Sequence, residues 1–156
     1  MTFEGCGTMI ILGCYADSRS KAKKAMNHRH LTAAPKHVFV VDDDTAVRAS
    51  IKFALELEGF EVRAFPNAEA LLATERIPSP SCLVVDYHMP GMNGLDLVAR
   101  LRERDKALPA VLISSPDDNL RNRAAILGVT MVEKPMLGAP LLNAVRAAFD
   151  GAATSS

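Results

Sequence analysis

This sequence is short of several things, and each shortage excludes a class of function. Aromatic residues are only 5% of the 156, and the basic stretch near the amino end has none interleaved with its lysines. That argues against a nucleic-acid surface, because such surfaces stack bases on rings set among the cations. Cysteine occurs three times, as Cys6, Cys14 and Cys82, an odd number without metal-ligand spacing. Neither a disulfide framework nor a zinc site is indicated, and a reducing cytoplasm suits the chain best. Net charge is absent: eighteen Lys plus Arg balance eighteen Asp plus Glu, so no overall field draws in a polyanion. No apolar run approaches the roughly 18 residues of a membrane span. What remains, 49% hydrophobic and 23% charged, is ordinary globular composition with enough chain for one sizeable core.

The neutral total conceals two parts of opposite sign. Residues 1–36 carry six basic residues against two acids, whereas residues 37–156 carry twelve against sixteen. The apolar run Met9 to Leu12 in the first part is too short for a signal-peptide core, and Glu4 stands where a basic flank belongs. Lys21 to Lys24 and the cluster His28, Arg29, His30 read as a solvated basic tail. Residues 1–36 are therefore expected to be a basic extension, disordered or loosely helical, with Met26 a second plausible start.

From His37 the pattern changes to short β-branched runs alternating with amphipathic stretches. Val38–Val41, Val62–Phe65, Cys82–Val85, Ala110–Ile113 and Val129–Val132 have strand length, and four of them are nearly all apolar, as strands covered on both faces are. Between them, helical spacing recurs at Val47, Ile51, Ala54 and Leu55, at Leu97, Val98 and Leu101, at Leu120, Ala124 and Leu127, and at Leu141, Leu142, Val145, Ala148 and Phe149. These stripes are expected to face the sheet. Right-handed crossovers place helices on both faces, which predicts an α/β doubly wound parallel sheet of five strands.

In such sheets function collects beyond the carboxyl ends of the strands. Asp42, Asp43 and Asp44 follow the first apolar run, Asp86 the third, Ser114 and Ser115 the fourth, and Glu133, Lys134 and Pro135 the fifth. Each has a bland explanation alone, a helix cap, a turn or a surface charge. Together they form a chemical set. Carboxylates crowded at one edge repel, and a hard divalent cation bound through oxygen offsets the repulsion, which makes magnesium the natural cofactor.

The segments VFVVDDD, CLVVDYHMPGMNGLDL, LPAVLISS and VEKP, in this order and spacing, resemble a two-component response-regulator receiver domain over roughly residues 36–150. The resemblance implies a flavodoxin-like sheet in the order 2-1-3-4-5. It implies that Asp86 is the phosphoacceptor, a carboxylate nucleophile that takes a phosphoryl group from a histidine kinase or phosphotransfer protein. Asp43 and Asp86 would ligate Mg2+ directly, Asp42 would act through water, and His88 would contribute its backbone carbonyl. Lys134 and the Ser114 hydroxyl would neutralise the phosphoryl oxygens, and Lys134-Pro135 matches a position where the family commonly has a cis peptide.

Met131 departs from the family pattern: it occupies the switch position, three residues before the lysine, where a Tyr or Phe is usual. By the resemblance, Pro116, two residues after Ser114, and His88, two after Asp86, would border the water path and bear on the lifetime of the phosphoryl group, with an exposed loop histidine as the equal alternative for His88. After Phe149 only a small polar stretch follows, which divides the chain into the extension 1–36, a receiver at 37–150 and a short polar tail at 151–156. The expectation is a single-domain, non-enzymatic regulator in the cytoplasm. It would signal by docking a downstream protein through its fourth-helix to fifth-helix face, with a phosphorylation-dependent homodimer on that face, and would contact neither nucleic acid nor membrane. Two alternatives stand beside it. An aspartyl-phosphate hydrolase would use the acid after strand one, but Ala46 breaks its Asp-x-Asp-x-Thr/Val pattern. A receiver-like interaction module independent of phosphorylation is compatible with Met131.

Overall fold

The structure, a computed structural model, describes residues 34–135 and 139–153. The expectation for the basic extension 1–36 therefore falls almost wholly outside the described residues. Ten elements alternate strictly: β1 (His37–Val41), α1 (Thr45–Leu57), β2 (Glu61–Phe65), α2 (Ala68–Leu72), β3 (Ser81–Asp86), α3 (Gly94–Arg102), β4 (Ala110–Ser114), α4 (Asp118–Ile126), β5 (Thr130–Glu133) and α5 (Pro140–Ala153). All strand pairings are parallel, in the order β2-β1-β3-β4-β5. The sheet is the doubly wound one expected from the sequence.

Strand alternation sorts the core into two layers. Phe39, Val41, Leu83, Val85 and Leu112 face the helices α2, α3 and α4, while Val38, Val40, Val84, Val111 and Ile113 face α1 and α5. Each fully buried Val or Leu side chain contributes about 1.5–3 kcal/mol, which is why the continuous apolar runs are the strands. Helix starts are fixed by short polar side chains. Asp44 caps α1, Asn67 caps α2, Asn93 caps α3 and Asp117 caps α4, each accepting from a backbone N–H in the first turn. Gly59, at φ 87°, reverses the chain after α1 in a conformation that disfavours any side chain.

Several details differ from the sequence reading. Strand five is shifted one residue, to Thr130–Glu133, because Gly128 turns left-handed and the Val129 N–H closes α4 on the Ala124 carbonyl. Leu127, expected to face the sheet, lies at the end of α4 and turns outward, 41% exposed, while Val129 takes the buried position. Ala54 is exposed on α1, which leaves Ile51 and Leu55 as that helix's buried anchors. The last helix continues through Ala153, since Ala152 and Ala153 sustain it, so half of the expected tail at 151–156 is helical. Among the described residues no helix is long and apolar enough to cross a membrane.

Candidate functional site

Parallel pairing brings the carboxyl ends of β1, β3, β4 and β5 side by side, and the polar residues after each apolar run meet there. Val41 pairs with Val85, Asp86 with Ile113, and Ser114 with Glu133, which aligns Asp42, Asp86, Ser114 and Lys134 along one rim. Asp42, Asp86 and Ser114 are buried, whereas Asp43 is exposed at the mouth. The carboxylates of Asp42, Asp43 and Asp86 offer oxygens within 4.8 Å of one another. Lys134 reaches in from the β5 end, its Nζ 3.0 Å from Asp86 Oδ1 in an ion pair without hydrogen-bond alignment. Its backbone N–H donates to the Ser114 carbonyl at 2.9 Å, which locks the two strand ends together. The Lys134-Pro135 peptide is cis.

Three buried polar atoms at this rim make no hydrogen bond: Asp42 Oδ2, Asp86 Oδ1 and Ser114 Oγ. Asp86 Oδ1 has the Lys134 ammonium beside it, but Asp42 Oδ2 and Ser114 Oγ have neither hydrogen bond nor ion pair, and a buried group of that kind costs about 1–3 kcal/mol, so the rim suits a polar or charged ligand. The oxygen-only donor set of Asp42, Asp43 and Asp86 fits a hard divalent cation such as Mg2+. The Asp42 carboxyl is held above its ordinary value of 3.8, mainly by burial and also by the charges of Asp86 and Asp43. The Asp44 backbone N–H, which donates to Asp42 Oδ1 at 2.8 Å, and the Lys134 ammonium oppose that shift.

Local backbone fixes the chain on leaving Asp86. The Tyr87 N–H donates to the Ile113 carbonyl at 2.8 Å, and the Tyr87 carbonyl accepts from Met89 and Gly94, each at 3.2 Å. Gly94 begins α3 hard against the strand end. A Cβ there would stand 2.6 Å from the Asp86 carbonyl oxygen and 2.8 Å from Leu112 Cδ1, so only glycine permits this approach.

His88 is exposed, and its ring meets that of Tyr87 edge-on, with centroids 4.9 Å apart. Met131 is half-buried against the core layer beneath α4. Ser115 and Pro116 are exposed outside the rim. Two residues escaped the sequence reading. Arg48, one turn into α1, donates from Nη1 to the Asp42 carbonyl at 2.7 Å and steadies the acidic loop. Its position one turn after the capping Asp44 was the available signal. Tyr87 packs beside Met131's layer, and its hydroxyl accepts from Arg123 Nη1 of α4 at 3.3 Å. Strand alternation continued two residues past Val85 would have found it.

Comparison with known proteins agrees with this architecture. Residues 38–146 match the family model described as the response regulator receiver domain. The transcriptional regulatory protein FixJ of Bradyrhizobium diazoefficiens is 36% identical over 118 residues, which cover 72% of this chain and 58% of FixJ. The response regulator protein TodT of Pseudomonas putida is 31% identical over 123 residues, covering 78% of this chain and 54% of TodT. The chain thus spans about half the length of the curated relatives it matches. Among solved structures, FixJ-N superposes with a TM-score of 0.69 at 30% identity, over 76% of this chain and 96% of that one. A CheY-like receiver domain from Methanospirillum hungatei gives 0.71 at 23% identity, over 79% of this chain and all of that one, a likeness of fold.

Proposed function

The chain belongs to the response-regulator receiver family, and on that premise we propose that it accepts a phosphoryl group on Asp86 from a phosphohistidine of a histidine kinase or phosphotransfer protein. Receivers of this family are phosphoacceptor signalling modules of two-component systems rather than classical enzymes. The observation that carries the reading is the buried rim itself: Asp86 beside Lys134, faced by two more carboxylates and by the unpartnered Ser114 hydroxyl.

The chemistry follows from what each group can do. A carboxylate oxygen of Asp86 attacks phosphorus in line, the phosphorus–nitrogen bond of the donor imidazole breaks, and an acyl phosphate forms. Negative charge spreads over the three equatorial oxygens as this happens. Lys134 sits where a fixed positive charge opposes that build-up, and the Ser114 Oγ–H is free to donate to one of the same oxygens. Asp42, Asp43 and Asp86, with the His88 backbone carbonyl, would hold Mg2+. The cation would supply charge neutralisation across the acid cluster and the transferred group. Dephosphorylation would be the attack of water on the same phosphorus, and His88 and Pro116, both exposed, would border its approach.

The reading extends to output. Ser114 and Lys134 cap adjacent strands that carry α4 and α5, so ligands on their side-chain atoms bias the position of these helices. The phosphorylated form would then bind a downstream protein, or a second copy of the chain, through the α4–β5–α5 face, in the cytoplasm. The test uses the purified chain and a phosphorylated histidine phosphotransfer domain with Mg2+. Transfer of phosphate to wild type, its loss in Asp86→Asn, and recovery of different proteins on the phosphorylated and unmodified forms are the expected results. An Asp86→Asn variant that is phosphorylated like wild type overturns the assignment.

A further inference from the structure

We propose that Tyr87 is the aromatic relay of this receiver: it positions α4 over the phosphorylation site and passes the state of Asp86 to that helix. This is the task for which residue 131, a methionine, offers no ring. The proposal rests on Asp86 being the phosphoacceptor and adds the route by which its state leaves the site.

Tyr87 is tied at both ends. Its backbone follows Asp86 directly, and its N–H donates to the carbonyl of Ile113, the neighbour of Ser114. Its ring is half-buried in the layer that also receives Met131 and the α4 anchors Leu120 and Ala124. Its hydroxyl leaves that layer to accept from Arg123 on the exposed flank of α4, at 3.3 Å. One residue thus connects the phosphoacceptor, the end of β4 and the fourth helix.

The helix at the other end of this connection is easily displaced. Of the nine residues of α4 only Leu120 and Ala124 are buried. Polar ties supply much of the remaining attachment. Arg121 pairs with Glu133 of β5, and Arg102 of α3 donates to the carbonyls of Leu127 and Gly128 just beyond the helix. Few apolar anchors and several exposed polar contacts are the properties of an element that moves at low cost.

Acyl phosphate formation gives the Ser114 hydroxyl an acceptor on the Asp86 side. Drawing Ser114 inward displaces the adjoining Ile113 carbonyl, and the Tyr87 N–H bonded to it must follow. The ring then shifts within its layer and the Arg123 bond is remade or lost. Met131 is unbranched and pliable, so it yields the space a moving ring requires.

The chain contains two tyrosines, Tyr15 and Tyr87, and no tryptophan, so Tyr15→Phe makes Tyr87 the sole tyrosine emitter. The full chain with this change is treated with acetyl phosphate and Mg2+ and read three ways: phosphate on Asp86, tyrosine emission, and amide hydrogen exchange over residues 118–126. The expected result is that labelling changes the Tyr87 emission and raises exchange in α4 severalfold. Tyr87→Phe, which keeps the ring but removes the acceptor, and Arg123→Met, which removes the donor, label at the wild-type rate with an unchanged urea midpoint. Both lose most of the phosphorylation-dependent exchange. The proposal is overturned if both variants retain the full exchange change, or if Tyr87 emission is the same before and after labelling. Absence of label in the parent chain overturns the phosphoacceptor reading, and the relay with it, so the labelling arm separates the two failures.

Discussion

Gly94→Ala subjects the packing at Asp86 to a single-methyl test. Two effects of opposite sign compete. Alanine at the first position of a helix is better than glycine by about 0.5–1 kcal/mol, through the entropy of the unfolded chain. Against this, the new Cβ would stand 2.6 Å from the Asp86 carbonyl oxygen, a backbone atom, and 2.8 Å from the tip of Leu112. The leucine tip can rotate away, but the carbonyl belongs to a strand hydrogen-bonded on both sides and cannot. Overpacking of a rigid core costs about 1–3 kcal/mol, so the clash outweighs the helix gain and a net loss of about 1–2 kcal/mol is expected. Since the carbonyl cannot yield, the strain falls on the backbone of Asp86 and Gly94 together, and with Asp86 as the proposed phosphoacceptor a misplacement of about 1 Å in its reacting group costs up to roughly 100-fold in rate. Urea denaturation and the initial rate of labelling by acetyl phosphate measure the two effects. Gly128→Ala is the control, since its φ of 61° strains an alanine while a Cβ meets nothing within 4 Å. It is expected to lose about 1–2 kcal/mol and to label normally. A Gly94→Ala protein at least as stable as wild type, with a wild-type labelling rate, would refute the argument from close approach.

Further outcomes follow from the same geometry. Lys134→Ala should still accept phosphate but lose the phosphorylation-dependent gain in partner affinity, measured by titration of the captured partner; unchanged affinity in both states would remove Lys134 from the mechanism. Burial raises the Asp42 carboxyl, and a raised acid contributes stability that is complete below its ordinary 3.8 and lost as pH rises through its folded value. At neutral pH without cation, Asp42→Asn is therefore expected to melt higher than wild type, and millimolar Mg2+ should raise the wild-type melting temperature but not that of Asp43→Ala. Burial likewise pushes the Cys82 thiol up to about 12 from 9.0, so its contribution is intact below pH 9 and lost as pH rises from there through about 12. In a chain with Cys6→Ser and Cys14→Ser, alkylation of Cys82 at pH 8 should proceed only at the rate of unfolding; fast labelling of native protein would contradict its burial.

How far the sequence carried this reading depended on which physical signal each residue emits. The strands were legible because Val38–Val41 and Cys82–Val85 are covered on both faces and hence apolar without interruption. The acids, the hydroxyl and the lysine were legible because a parallel sheet delivers all its strand ends to one rim, so a short polar word after each apolar run is enough to collect them. Leu127 misled because helical periodicity says nothing of where a helix stops, and Gly128 stops this one a residue too early for Leu127 to turn inward. Arg48 and Tyr87 left only a positional trace, a place one turn after a capping residue and a place on the strand alternation, while the contacts that give each its role are not written in the pattern. The bond from Arg123 to Tyr87 spans 36 residues.

Chemical mapping of the acyl phosphate decides whether Asp86 carries the phosphoryl group. The purified chain is incubated with Mg2+ and acetyl phosphate, the product is reduced with borohydride, which converts an acyl phosphate to an alcohol, and the peptides are sequenced by mass spectrometry. The expected result is reduction at Asp86 alone, dependent on Mg2+ and absent in Asp86→Asn. Reduction at Asp42 would instead make the chain an aspartyl-phosphate hydrolase, and no reduction anywhere would make it a receiver-like module that works without phosphate.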